Sequence, residues 1–322
     1  MSATDMKTQT LGGNVMQPPL PGQIDPQAAF DVWATDYMSA YQGAQPIAIS
    51  SGLTERVTGA SERYHLPIPP SGVGEIVELE DGESHPAQKP QGYMVDGTHK
   101  TRGPKAILVG QKDLASDRIG LVTANVKAMG NDAGMMPDYM TALALQNGTV
   151  QQSFDRKAVF AVDHPRDPIN GKGGPHPNLF NETFDVPGLI KITNAVRSYR
   201  GEGNNPVVAN PMFGIVVPTD LQGELEVLVD LERIANGGSN YAYKRYKPIV
   251  LSRLTDPKAF YVVVLNGPVR PVRYSVLTPG YNSILGPESE LFKDKRQMKF
   301  EYSETSDALI ADWRVIAKSI IP

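Results

Sequence analysis

The run LFKDKRQMKFEYSETSDALIADWRVIAKS, from Leu291 to Ser319, decides the fold. It reads as a long strand of alternating character, a short break, and a second alternating strand that carries Trp313. A period of two marks a strand whose faces meet different surroundings. Far upstream lies FDRKAVFAVDHP, Phe154 to Pro165, followed by a stretch rich in Gly, Pro and Asn. A helix-like segment comes next, then FGIVVPTDL, Phe213 to Leu221. Strands and helices are thus mixed along the chain.

Composition narrows the function classes. The 322 residues suffice for a sizeable core and two or three lobes. Hydrophobic residues make up 40% and charged residues 20%, the balance of a globular chain. The 30 Gly and 27 Pro imply many turns and long extended connections. A net charge of −4 argues against a dedicated nucleic-acid binder. With no Cys, disulfides, thiolate metal sites and cysteine nucleophiles are excluded. The N-terminal MSATDMKTQTLGGNVMQPPLPGQ lacks the apolar centre of a secretory signal, so synthesis in the cytoplasm is expected.

Along the chain, Met1 to Pro26 is too polar to fold alone and reads as an extended arm. Phe30, Trp33, Tyr37, Met38 and Tyr41 then recur at helical spacing, with Asp25 as N-cap and Pro26 at the first position. That face suits either the core or a neighbouring subunit. Arg63 to Lys105 holds six prolines and two strand-like pieces, Gly74 to Glu80 and Gln91 to Gly97, around the polar tip DGESHPAQKP. It reads as a two-stranded projection. Such a ribbon is marginal alone and needs a surface to lie on. Val77, Leu79, Tyr93 and Val95 supply an apolar face for an adjacent subunit, with Glu78 and Glu80 meeting solvent or a base such as Arg102 of another chain.

Ala106 to Gly110 reads as a strand, Leu114 to Ala133 as a long helix, and Pro137 to Asn147 as a shorter one. Ala158 to Asp163 and Phe213 to Val217 read as strands. Asp185 opens a helix to Tyr199, and the Thr219/Gln222 capping-box pattern opens another from Asp220 to Ile234. Pro248 to Ser252 and Phe260 to Leu265 read as central strands, with Val272 to Val276 beyond.

Chemical motifs are sparse. His164 beside Asp163 is no dyad, because adjacent side chains on an extended chain point apart. His65, His85, His99 and His176 lack metal-ligand spacing. In GKGGPHP, Lys172 is not followed by Ser or Thr, so the phosphate-loop pattern fails. YAYKRYKP, Tyr241 to Pro248, could stack on nucleic acid but suits a loop tip at a subunit junction. No catalytic, cofactor or metal residue is assigned, and no enzyme activity is expected.

From about Tyr93 to Pro322 the order of motifs resembles the Mu-like major head subunits of tailed phages. The carriers are YMVDGTHKTRGPKAILVGQKDLASD, the long helix, PDYMTALALQNG, FDRKAVFAVDHP, NLFNETFDVPGLIKI, IVVPTDL, LTDPKAFYVVV and DWRVIAKS. The resemblance implies an α+β chain with the Hong Kong 97-type capsid fold. Its parts would be an N-arm (1–54), an extended E-loop (55–105), a P-domain with a spine helix (106–176) and an A-domain (177–270). P-domain return strands (271–310) and an A-domain closing strand (311–322) would complete it. It implies a major capsid protein that self-assembles as hexamers and pentamers into an icosahedral head. That head would enclose double-stranded DNA without sequence-specific binding. A separate scaffold protein, a portal and a possible decoration protein would be partners, the virion the location, and no membrane or cofactor is implied. Candidate subunit contacts are Trp33, Tyr37, Val77, Leu79, Tyr93 and Arg102. An encapsulin-like nanocompartment shell is the alternative, and an enzyme or a tail protein are further rivals.

Overall fold

A computed structural model describes residues 25–68, 92–115, 119–167, 172–201, 206–233 and 239–322. Among them, no helix is long and apolar enough to cross a membrane. In chain order come α1 (Pro26–Gly43), α2 (Ile47–Ser50), β1 (Thr54–Thr58), β2 (Arg63–Ile68), β3 (Tyr93–Thr98), β4 (Lys100–Arg102) and β5 (Ile107–Gly110). Next are α3 (Gln111–Ala115), α4 (Ile119–Gly134), α5 (Met136–Asn147), β6 (His164–Asp167), β7 (Lys172–His176), β8 (Leu179–Phe180) and α6 (Val186–Ser198). Then follow β9 (Phe213–Val217), α7 (Gln222–Asp230), β10 (Lys247–Val250), β11 (Ala259–Val264), β12 (Val272–Leu285), α8 (Glu290–Lys295), β13 (Gln297–Ile310) and β14 (Ile316–Ile320).

The Asp25 carboxylate accepts from the Gln27 amide at 2.9 Å and caps α1, with Pro26 as the first helical residue. α1 runs beside α4 in the same direction. Trp33 Nε1 donates to Thr123 Oγ1 at 3.0 Å, Asp36 pairs with Lys127 at 3.2 Å, and Tyr37 lies over Gly130. Gly130 and Gly134 let the backbones meet. A Cβ at either would overlap the Tyr37 carbonyl or the Ala44 side chain.

The first sheet has the order β1–β12–β13–β4, with β5 also paired to β13. β1 is parallel to β12, and β12 is antiparallel to β13. Alternation along β13 sends Met298, Phe300, Tyr302 and Glu304 to a buried face. α1 covers it, with Phe30 and Tyr37 against Phe300 at 5.9 and 6.3 Å and Tyr41 against Tyr302 at 5.9 Å.

The second sheet has the order β10–β9–β11–β14–β8. β9 and β11 are buried at every position, as continuous apolar runs demand. Phe260 meets Phe184 at 4.8 Å on one face, and Tyr261 meets Phe160 at 5.7 Å on the other. α6 packs on β11 and β14, and α7 on β10. Asp185 caps α6 through the Gly188 amide at 2.8 Å.

Several sequence expectations are corrected. Residues 158–163 form no strand beyond the single bridge Gln152–Ala158. Their buried amides find other acceptors: Val159 bonds Gln151 O, Phe160 bonds Gly148 O, and Ala161 bonds the Asn178 side chain, each at 2.9 Å. β10 pairs only with β9 among the described strands, so it is an edge strand rather than a central one. The Thr219/Gln222 pattern makes no side-chain cap. A 3-10 turn, Thr219–Leu221, precedes a shorter helix ending at Asp230. Of the long helix, Ile119–Gly134 is α4, and Leu114 falls in the short helix α3, Gln111–Ala115. Trp313 opens a 3-10 turn, and the closing strand starts at Ile316. The ribbon pairs β2 with β3, where Pro67 had concealed a strand; Gly74 to Glu80 lies outside the described residues.

Candidate functional site

The base of the ribbon belongs to its own subunit. Side chains alternate along β2, and Tyr64, Leu66 and Ile68 point inward with Val95 of β3. They pack with Val269, Leu309 and Ala311. Tyr64 lies over Gly97 across the pair and stacks on His99 at 4.3 Å. His99 is buried, with Nδ1 at 2.7 Å from Ser61 O and Nε2 at 2.8 Å from Ser275 Oγ. The apolar face that the sequence offered to a neighbour is therefore used internally, at least at Val95.

The six contact candidates separate accordingly. Trp33 and Tyr37 are 1% and 0% exposed and face α4 and the first sheet of the same subunit. The Tyr37 hydroxyl sits 2.5 Å from Asn282 Oδ1, and burial pushes its pKa up. Tyr93 is half-buried, stacked on Phe154 at 4.5 Å with the Arg314 guanidinium 5.4 Å from its ring. Arg102 is partly exposed, and its Nη1 donates to Ser306 O at 2.6 Å. Val77, Leu79, Glu78 and Glu80 lie outside the described residues.

A second cluster joins the lobes and was not found in the sequence. His164 pairs with Asp155, not Asp163, at 2.5 Å, both side chains fully buried. Its ring stacks on Trp313 at 4.0 Å and 6°. His164 Nε2 lies 3.1 Å from Val159 O and 3.2 Å from Asn178 Oδ1, so the imidazole is engaged at both nitrogens. Asn178 Nδ2 reaches Val159 O at 2.7 Å and Trp313 O and Ile316 O at 3.3 Å. This tethers the irregular segment to the start of β14. Asp163 instead turns outward to Lys157, which holds its carboxyl below the usual range. The Asp312–Arg314 pair, 2.8 Å, is buried beside Phe154. Spacing alone could not reveal Asp155–His164, because the pairing depends on a loop reversal.

Electrostatics elsewhere are also structural. Buried Asp138 accepts from the Ile47 and Ala48 amides at 3.0 and 2.7 Å and fixes α2, while burial raises its pKa. Glu304 is buried with the Tyr274 and Tyr302 hydroxyls, and burial pushes its carboxyl up. Burial lowers the Lys318 ammonium, which lies between the Phe160 and Tyr261 rings. Among the described residues no group of three or more His, Cys, Asp or Glu could hold a metal ion.

Two lobes, a parallel pair of helices along one sheet and a ribbon leaving one end form the frame in which the comparisons fall. Residues 102–187 match the model of the Mu-like prophage major head subunit gpT. That gpT-like segment runs from β4 through α4 and α5 to the start of α6. It bears out the resemblance read from the motifs. A search of curated proteins found no match. Among solved structures, the capsid of the native GTA particle aligns over 100% of this chain and 99% of its own, at 11% identity and a TM-score of 0.52. The bacteriophage JBD30 capsid aligns over 72% and 99%, at 16% identity and 0.51. Mycobacterium phage Bobi aligns over 86% and 90%, at 11% identity and 0.52. The fold is the Hong Kong 97-type capsid fold.

Proposed function

We propose that this chain is a major capsid protein, the self-assembling subunit of a tailed-phage or prophage head. The match of residues 102–187 to a major head subunit family carries the reading, and the capsid fold spanning the whole chain supports it. No enzymatic role is part of it. Within the reading, the subunits form hexamers and pentamers in the host cytoplasm and become the shell of the virion. A separate scaffold protein and a portal assist, a decoration protein could bind outside, and double-stranded DNA fills the interior. β1, β12, β13 and α4 correspond to the P-domain, and β9, β11, β14 and α6 to the A-domain. The E-loop corresponds to residues 55–105, and the outer face of its described base, with His65, Met94 and Asp96 exposed, is open to a neighbour. α1 and α2 fall inside the stretch assigned to the N-arm but pack on α4 and α5.

The test is assembly. Purified subunits, alone and with a co-expressed scaffold, are examined by sedimentation and negative-stain microscopy. Closed shells built of hexamers and pentamers are expected. A compact monomer under every condition would count decisively against the reading.

A further inference from the structure

The lobe built on the second sheet carries two unlike surfaces. At the C-terminal end of α6, Arg197 and Arg200 line an open cleft of about 510 Å³ with Val208 and Asn210. Arg197 is exposed with its guanidinium over the Phe213 ring at 5.2 Å, and neither arginine has an ion-pair partner among the described residues. Met212, 53% exposed, extends this rim. The second surface is the outer side of α7 and the turn before it. Leu221, Leu225 and Val229 face the core, so helical periodicity turns Glu224 and Val227 outward, with Asp220 of the preceding 3-10 turn and the C-cap Leu231 also exposed. Val227 and Leu231 are 56% and 50% exposed. Neither Asp220 nor Glu224 has an ion-pair partner among the described residues.

One surface is thus cationic with an apolar rim, and the other is anionic at the start of α7 with Val227 and Leu231 exposed toward its end. They sit on different helices over different strands, α6 on β11 and β14, α7 on the edge strand β10. Two complementary patches at different places on one molecule form a heterologous contact, which closes into a ring when the rotation per copy allows. Opposite charge aligns the copies and penalises the wrong register. We propose that the Arg197/Arg200 cleft of one copy receives the Asp220–Glu224 side of α7 of the next, and that this contact links the subunits of a capsomer. The inference rests on the capsid reading and adds the residues that join neighbours.

The experiment compares shell formation by four forms of the full chain. Each form is expressed with the scaffold, and wild type must form shells; if it forms none with or without scaffold, the capsid reading fails rather than this contact. Arg197→Glu with Arg200→Glu, and separately Asp220→Lys with Glu224→Lys, should stay folded by circular dichroism. Each should need at least about tenfold more protein to assemble, since each tenfold corresponds to about 1.4 kcal/mol. The chain carrying all four changes should assemble near the wild-type concentration, because each contact is again complementary. A mixture of the two double variants should also assemble, but only into rings of even number, where the variants alternate. Wild-type assembly by either double variant alone would overturn the proposal. So would failure of the four-change chain and of the mixture when all remain folded. Should a double variant misfold, the neutral pair Arg197→Gln and Arg200→Gln takes its place, with a smaller rise in threshold expected and no change overturning it.

Discussion

Strands β11 and β13 lie at the centres of their sheets yet bury their residues differently. In β11 every side chain from Ala259 to Val264 is buried, because Phe184 covers one face and Phe160 the other. Its core is almost wholly apolar. β13 alternates between buried and partly exposed over most of its length, and its inward side passes from Met298 and Phe300 to Tyr302, Glu304 and Ser306. The first kind of strand is held by area removed from water, which is tolerant of geometry. The second also depends on hydrogen bonds that must all be made, which is not. The register of β12 against β13 shifts between Val276 and Tyr281, opposite residues 303–306, so the polar section is also where the ladder bends.

The largest effect is expected at the helix pair over the first sheet. Trp33→Ala should lower subunit stability by about 3–5 kcal/mol, since it removes a buried indole and leaves a cavity against α4. Denaturant unfolding of the unassembled subunit measures it. An effect confined to assembled shells would instead return Trp33 to a subunit contact. Asp155→Ala should cost about 1–3 kcal/mol by leaving the buried His164 Nδ1 without its partner. The loss should appear first in probes of the second lobe, whose strand β14 is tethered through Asn178. Equal loss from both lobes would make them one cooperative unit.

The smallest effect is one of pH. Burial raises the Glu304 pKa above its ordinary 4.5, so the folded chain holds that proton more tightly than the unfolded chain. Its contribution to stability is therefore full below pH 4.5 and is lost as the pH rises through the raised value. Glu304→Gln cannot ionise. Its melting temperature relative to wild type should rise between pH 4 and pH 8, and a difference independent of pH would refute the assignment. Asp138 and Asp307 are raised in the same direction, so the comparison with wild type is needed to isolate Glu304.

Local signals explain which parts were readable. Asp25–Pro26 and Asp185 are caps that act over three residues, and both helices begin where the caps place them. The continuous apolar run Phe213–Val217 needs no distant information to be a buried strand. By contrast, Ala158–Val162 has a strand's composition but bonds to Gly148, Gln151 and Asn178, and no local rule assigns those acceptors. The ribbon misled for a related reason. Val95 has an apolar side that a neighbour could cover, yet Leu309 and Ala311, more than two hundred residues later, reach it first. Spacing left core and neighbouring subunit both open for Trp33 and Tyr37, and within the subunit both are sealed by a close helix approach that Gly130 and Gly134 permit.

Residues 297–320 supply β13 to one sheet and β14 to the other, and in each case the strand lies between partners. β13 separates β12 from β4 and β5, while β14 separates β11 from β8. Neither sheet can close until this stretch has left the ribosome. A chain that stops short of residue 297 lacks both strands and leaves both sheets incomplete. One short segment thus completes both lobes, and a single truncation there takes a strand from each.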